Sequence, residues 1–137
     1  GGNIGNALLL AKDIMLVGKK IPIINYKKKF KEALREMNKK KLGTVVITRK
    51  QYIKGLLTDG DLRRGMKSFS NNQNLLEIMT QRPLVVNENM PASKALGLMN
   101  EKKITSLLVV SDKDYKKNNK KLKGIIHIHS LLENGIK

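Results

Sequence analysis

The chain has 137 residues, no cysteine, and a formal net charge of +17, from 28 lysines and arginines against 11 aspartates and glutamates. That length fits one compact domain or two small repeats sharing a core, and the missing cysteines exclude disulfides, thiol chemistry and a cysteine-ligated metal. The charge is mostly lysine, spread along the chain, and aromatic residues that could stack on bases make up only 4% of it, so no nucleic-acid partner is expected.

No apolar run approaches the roughly 20 residues needed to cross a bilayer, and no signal peptide is visible. The expectation is a cytoplasmic protein with no membrane partner. The chain opens "GGNIGNALLL" (residues 1–10) without an initiator Met, so it is either tagged or begins inside a longer protein.

In chain order, a short helix ends at Met15 and a brief strand "IPII" (21–24) follows. A helix then places Phe30, Ala33, Leu34 and Met37 on one face, the i, i+3, i+4, i+7 spacing of an amphipathic helix. Two strands, "GTVVIT" and "YIKGLLT", form a hairpin through a tight loop at Arg49–Gln51. A further helix begins near Asp61. The series then repeats. A short helix ends at Met79, "PLVV" (83–86) is a strand, and Ala92, Ala95, Leu96 and Met99 line a helix with Pro91 in its first turn. "TSLLVVS" and "LKGIIHI" pair, and a last helix begins near Ser130. The intervening "DKDYKKNNKK" (112–121) reads as a solvated loop tip that buries nothing.

The repetition is explicit in the residues. "AKDIM" (11–15) matches "LLEIM" (75–79), "EALREMNKKKLGTVVI" (32–47) matches "KALGLMNEKKITSLLV" (94–109), and "KGLLTDGDLRRG" (54–65) matches "KGIIHIHSLLEN" (123–134). The expected fold is α/β (α+β). It has two β-α-β-β-α repeats, 11–68 and 69–137, packed through their sheets with pseudo-twofold symmetry.

This pattern resembles a tandem pair of CBS domains, a Bateman module, over roughly residues 10–135. "KKLGTVVIT", "GLLTDGDLRRG", "IMTQRP" and "GIIHIHSLL", with the opening "GGNIGNALLLAKDIM", resemble the CBS pair and linker of arabinose-5-phosphate isomerases. The resemblance implies a parent enzyme that interconverts ribulose 5-phosphate and arabinose 5-phosphate, feeding Kdo and lipopolysaccharide synthesis. A sugar-isomerase domain would precede Gly1 in the same chain. It also implies a histidine where this chain has Leu16, an acidic residue near Lys19, and an aspartate where it has Ser130.

At "TDGD", two readings stand together. Thr58 or Asp59 can cap a helix N-terminus, with Asp61 in the first turn. The resemblance adds a ligand role: a Thr-x-x-Asp pair whose carboxylate, acceptor only, takes the hydroxyls of a ribose. It also places Lys19, Lys20, Ile21 and Pro22 along the same cleft, and His127 and Ser130 at a second one. Arg63 and Arg64 read as solvated, or as phosphate or partner contacts. His127 and His129 would share a strand face, but zinc needs three or four protein ligands, so no metal is expected. No catalytic constellation emerges, and no cofactor is expected.

The functional expectation is a regulatory module that senses an adenine or cytidine nucleotide or a nucleotide-sugar, with no catalysis of its own. The alternative is a structural or oligomerisation module with an empty cleft. Homo-oligomers are expected, a dimer of this fragment and a tetramer of the parent. The dimer would use Leu62, Met66, Leu131 and Leu132, which could instead be buried within one chain.

Overall fold

A computed structural model describes residues 8–65 and 70–137, and for Arg64 and Gly65 the backbone alone. Residues 1–7 of the expected linker, the Arg64 side chain and Met66 lie outside the described residues. In chain order the elements are α1 (Ala11–Ile14), β1 (Ile23–Asn25), α2 (Phe30–Lys40), β2 (Thr44–Arg49), β3 (Tyr52–Thr58), α3 (Asp59–Gly65), α4 (Leu75–Ile78), β4 (Thr80–Gln81), β5 (Val85–Asn87), α5 (Ala92–Lys102), β6 (Ser106–Val110), α6 (Asp112–Tyr115), β7 (Gly124–His127) and α7 (Ile128–Glu133).

The chain divides into two units, and the division is not sequential. Lys19–Pro83 forms one unit, and the segment up to Gly18 joins Leu84–Lys137 in the other. Each short helix therefore serves the core of the repeat that does not contain it in sequence. Leu75 of α4 is fully buried with Phe30, Ala33, Met37, Val45, Ile47, Leu57 and Leu62. Ala11 and Ile14 of α1 are buried with Val86, Ala92, Ala95, Leu96, Met99, Leu107, Val109, Ile126, Leu131 and Ile136. Full burial of one leucine contributes about 2 kcal/mol, which a four-residue helix needs because it cannot hold itself together in water.

In the Lys19–Pro83 unit the sheet order is β1-β2-β3-β4. β1 runs parallel to β2, pairing Ile23 with Val46 and Asn25 with Thr48. β3 returns antiparallel, with Thr44 opposite Thr58 and Arg49 opposite Tyr52. The two-residue turn between them has φ of 49° at Lys50 and 74° at Gln51, the left-handed pair that matches strand twist. β4 adds Thr80 against Leu56. The alternate residues Val45, Ile47 and Leu57 face α2, as the two-residue period of a strand requires.

The other unit repeats this plan. Val85, Val86 and Asn87 pair with Leu108, Val109 and Val110, and Ser106 sits opposite His127. In place of β4, Leu16 bridges Ile125. Both long helices end on a lysine with left-handed backbone, Lys41 and Lys103.

Two expectations change, and one open alternative is narrowed. β1 and β5 begin later than the apolar runs predicted and end on asparagines, Asn25 and Asn87. Their side chains accept the N–H groups of Lys27 and Asn89, each at 2.9 Å. The 112–121 segment is not a bare loop tip. Ser111 caps α6 by accepting the Asp114 N–H at 3.1 Å, and Asp114 is buried, where its carboxylate accepts the Lys121 N–H at 2.9 Å. The Lys121 N–H first, and the Lys117 ammonium after it, hold the Asp114 carboxyl below its ordinary value. Leu62 and Leu131 are buried in their own units' cores, whereas Leu132 is exposed.

Candidate functional site

Three segments meet at the Thr44 end of β2. Pro22 leads into β1 on one side, and its carbonyl accepts the Val46 N–H at 2.8 Å. Thr58 closes β3 on the other side, directly opposite Thr44. Adjacent strands lie about 4.8 Å apart, so the Lys19–Pro22 turn and the Thr58–Asp61 junction flank one strand end. The Thr44 hydroxyl donates to the Leu57 carbonyl at 3.0 Å, which keeps this end of the hairpin closed.

The junction itself is a reciprocal cap. The Asp61 N–H donates to Thr58 Oγ1 at 3.1 Å, and the Thr58 N–H donates to Asp61 Oδ2 at 3.0 Å. This is the two-way arrangement of a capping box, and it starts α3 at Asp59 rather than near Asp61. Asp59 is exposed and lies 3.7 Å from Arg63, an exposed i, i+4 pair worth little. Its N–H donates to the Gly43 carbonyl at 2.9 Å.

Before β1, Lys19 and Lys20 are exposed on a 3-10 turn, Gly18–Lys20, while Ile21 and Pro22 are buried. The turn is tied to α2. Lys40 Nζ donates to the Lys19 carbonyl at 2.6 Å, the Ile21 carbonyl at 3.4 Å and Glu36 Oε2 at 3.1 Å. The Ile23 N–H donates to the same Glu36 oxygen at 3.1 Å. Glu36 and Lys40 could be read from the sequence as an i, i+4 ion pair, but nothing in their spacing shows that they hold the neighbouring strand.

The equivalent junction in the other unit is chemically different. His127 ends β7 and caps α7, its Nδ1 accepting the His129 N–H at 3.2 Å. Its ring proton therefore resides on Nε2. His129 lies in the first turn of α7 and not on the strand, and the two rings meet edge to face with centroids 4.7 Å apart. Burial first, and the neighbouring His129 second, push His127 below its ordinary value. Ser130 is half-buried, and its carbonyl accepts from the Asn134 side chain at 2.7 Å. Ser106, opposite His127, has a buried hydroxyl without a partner, where the matching Thr44 is bonded. Neither Thr44 nor Ser106 stood out in the sequence, because each merely opens an otherwise apolar strand. Among the described residues, no group of three or more His, Asp or Glu is placed to hold a metal ion, and no helix is long and apolar enough to cross a membrane.

Two sheets of one plan, each closed by a strand-to-helix junction, define the class. The chain belongs to the CBS domain family, whose family model matches residues 11–68 and 75–136, and it is a tandem pair. Among curated proteins it is 39% identical to arabinose 5-phosphate isomerase KdsD of Yersinia pestis, over 99% of this chain and 40% of that protein. It is likewise 39% identical to the uncharacterized protein RP505 of Rickettsia prowazekii, over 99% of this chain and 41% of that one. The chain thus spans about two fifths of the length of these relatives. Among solved structures it shares its fold with CBSX2 in complex with AMP, at a TM-score of 0.76 and 21% identity, covering 92% of this chain and 95% of that one. The CBS domain of a bacterial CNNM/CorC family Mg2+ transporter in complex with ATP is similar at a TM-score of 0.75 and 17% identity, over 97% and 91% of the two chains.

Proposed function

We propose that the chain is the regulatory CBS pair of an arabinose-5-phosphate isomerase that supplies Kdo and lipopolysaccharide synthesis. In this reading it binds an adenine nucleotide or a nucleotide-sugar, with the ribose at the Thr58–Asp61 junction. The observation that carries the parentage is the identity to KdsD over 99% of this chain and only 40% of that isomerase. The AMP and ATP bound by two proteins of the same fold support a nucleotide as ligand.

The chemistry of the junction is compatible with both of its roles. A carboxylate has about four acceptor sites, so capping and ribose binding are not mutually exclusive at Asp61, and the Thr58 hydroxyl can donate outward while accepting from the Asp61 N–H. Lys19 and Lys20 supply positive charge on the other side of β2. At the second junction a neutral imidazole and a serine stand in the matching places. Hydrogen bonds to a charged acceptor are worth about 1.5–3 kcal/mol against about 0.5–1.5 for neutral ones. A ribosyl ligand should therefore prefer the Asp61 junction by about tenfold. Binding would shift the isomerase through a coupling free energy between sites.

The test is calorimetry of AMP, ATP and a nucleotide-sugar on the wild-type chain, Asp61→Ala and Ser130→Ala. Asp61→Ala should abolish the tighter binding, and Ser130→Ala should leave it nearly unchanged. Absence of binding to the wild type at about 1 mM would sink the reading. The second reading, a structural or oligomerisation module, is favoured by the self-satisfied cap and by Leu132, which is 57% exposed. It predicts a dimer in sedimentation that no nucleotide perturbs.

A further inference from the structure

We propose that Glu36 and Lys40 are positioning residues that fix the Lys19–Ile21 turn, so that its two outward ammonium groups meet the phosphate end of a nucleotide. This rests on the nucleotide-binding reading above.

The argument begins with the edge of the sheet. β1 is an edge strand, and its ladder with β2 starts only at Ile23. The carbonyls of Lys19 and Ile21 lie before that ladder. An ammonium has three protons, and Lys40 directs them to those two carbonyls and to Glu36. Lys40 therefore donates where a further strand would, and Glu36 completes the clamp by accepting the Ile23 N–H. Both side chains are mostly shielded, at 20% and 19% exposure. The Lys40 charge is consumed inside the unit, which leaves Lys19 and Lys20 as the exposed cations of the turn.

The second repeat shows that the fold does not require this clamp. The matching helix α5 carries Leu98 and Lys102 where α2 carries Glu36 and Lys40. Without the carboxylate it still pairs β5 to β6 in the same register. The clamp thus belongs to one turn, beside the junction with the carboxylate.

The experiment titrates ATP and adenosine into the wild-type chain, Lys40→Met, Glu36→Gln and Lys40→Arg, and follows amide hydrogen exchange in each. Lys40→Met should weaken ATP about tenfold or more while changing adenosine by less than about twofold, because only the phosphate end loses its fixed partners. Lys40→Arg, which keeps charge and donors, should recover most of the loss. Exchange at the Ile23 amide should accelerate in Lys40→Met and Glu36→Gln, with β2 and β3 unchanged. Equal weakening of ATP and adenosine would mark a merely structural role and overturn the proposal, as would unaltered ATP affinity. If the wild type binds neither ligand, the nucleotide-binding reading falls on its own. Unchanged exchange at Ile23 then refutes the clamp separately.

Discussion

Replacing Gly124 by alanine should destabilise the chain by about 1–2 kcal/mol, and the structure shows why. A Cβ on Gly124 would lie 2.7 Å from Met15 Cγ and 2.9 Å from the Leu16 carbonyl oxygen, and closer still to Met15 Sδ. Carbon atoms prefer about 3.5–4.0 Å. The methionine can turn aside, but the carbonyl cannot. Leu16 exchanges both backbone bonds with Ile125, donating at 2.8 Å and accepting at 3.1 Å, so the added methyl drives two paired backbones apart. Overpacking of this kind costs about 1–3 kcal/mol, and the lower backbone entropy of alanine offsets about 0.5–1 of it. With a urea slope of about 1–3 kcal/mol/M, the midpoint should fall by several tenths of a molar or more. Gly97 is the internal control. It is exposed in α5 with nothing within 4 Å of a built Cβ, so Gly97→Ala should raise the midpoint. If the two variants shift together, or Gly124→Ala melts later than the wild type, the steric reasoning is wrong.

Two pH predictions follow from the polar contacts. Glu88 accepts from Lys123 and, at 2.8 Å, from the Asp112 N–H. The Lys123 bond first, and the Asp112 bond second, lower its carboxyl from the ordinary 4.5. Its stabilisation is complete above that value and is lost as pH falls through the lower folded-state value. Melts of Glu88→Gln between about pH 3 and 6 should therefore show a flatter acid limb than the wild type. His127 is lowered from 6.5. The unfolded chain takes up that proton first, so stability is complete above 6.5 and declines as pH falls toward the folded-state value. An imidazole titration followed by NMR should have its midpoint below 6.5, with the His129 amide losing protection as His127 is protonated. A midpoint at or above 6.5 would contradict the cap geometry.

Much of the architecture was legible because it rests on periodicity. The spacing of Phe30, Ala33 and Met37, and of Ala92, Leu96 and Met99, fixes helix faces irrespective of partners. Strand ends were read less well. Asn25 and Asn87 are polar, so a pattern of apolar residues stops before them, although their backbones still pair and their side chains start the next turn. Helix starts were misplaced for a related reason. Thr58 and His127 each cap from the last strand residue, so α3 and α7 open directly from the strand. The exchange of α1 and α4 between units left no trace in the pattern, since "AKDIM" and "LLEIM" present the same face whichever core receives them. At the candidate site, Thr58 and Asp61 were visible as a motif. Lys40 was not, because its role depends on carbonyls of a distant segment, which carry no side-chain signature.

The division of the chain also bears on how it is made. Lys19–Pro83 is contiguous and can close as soon as its last residue is available. Its counterpart is assembled from both flanks, so Ala11 and Ile14 must wait through the synthesis of everything between before Val86, Ala92 and Leu131 exist to receive them. Chains generally fold in the order they emerge, and ends joined over a long separation form slowly. The contiguous unit thus shortens the search for the other by ordering the intervening chain. A truncation before Lys19 would therefore leave the nearest strands with their core complete, and would instead open a gap in the core built by the last fifty-odd residues.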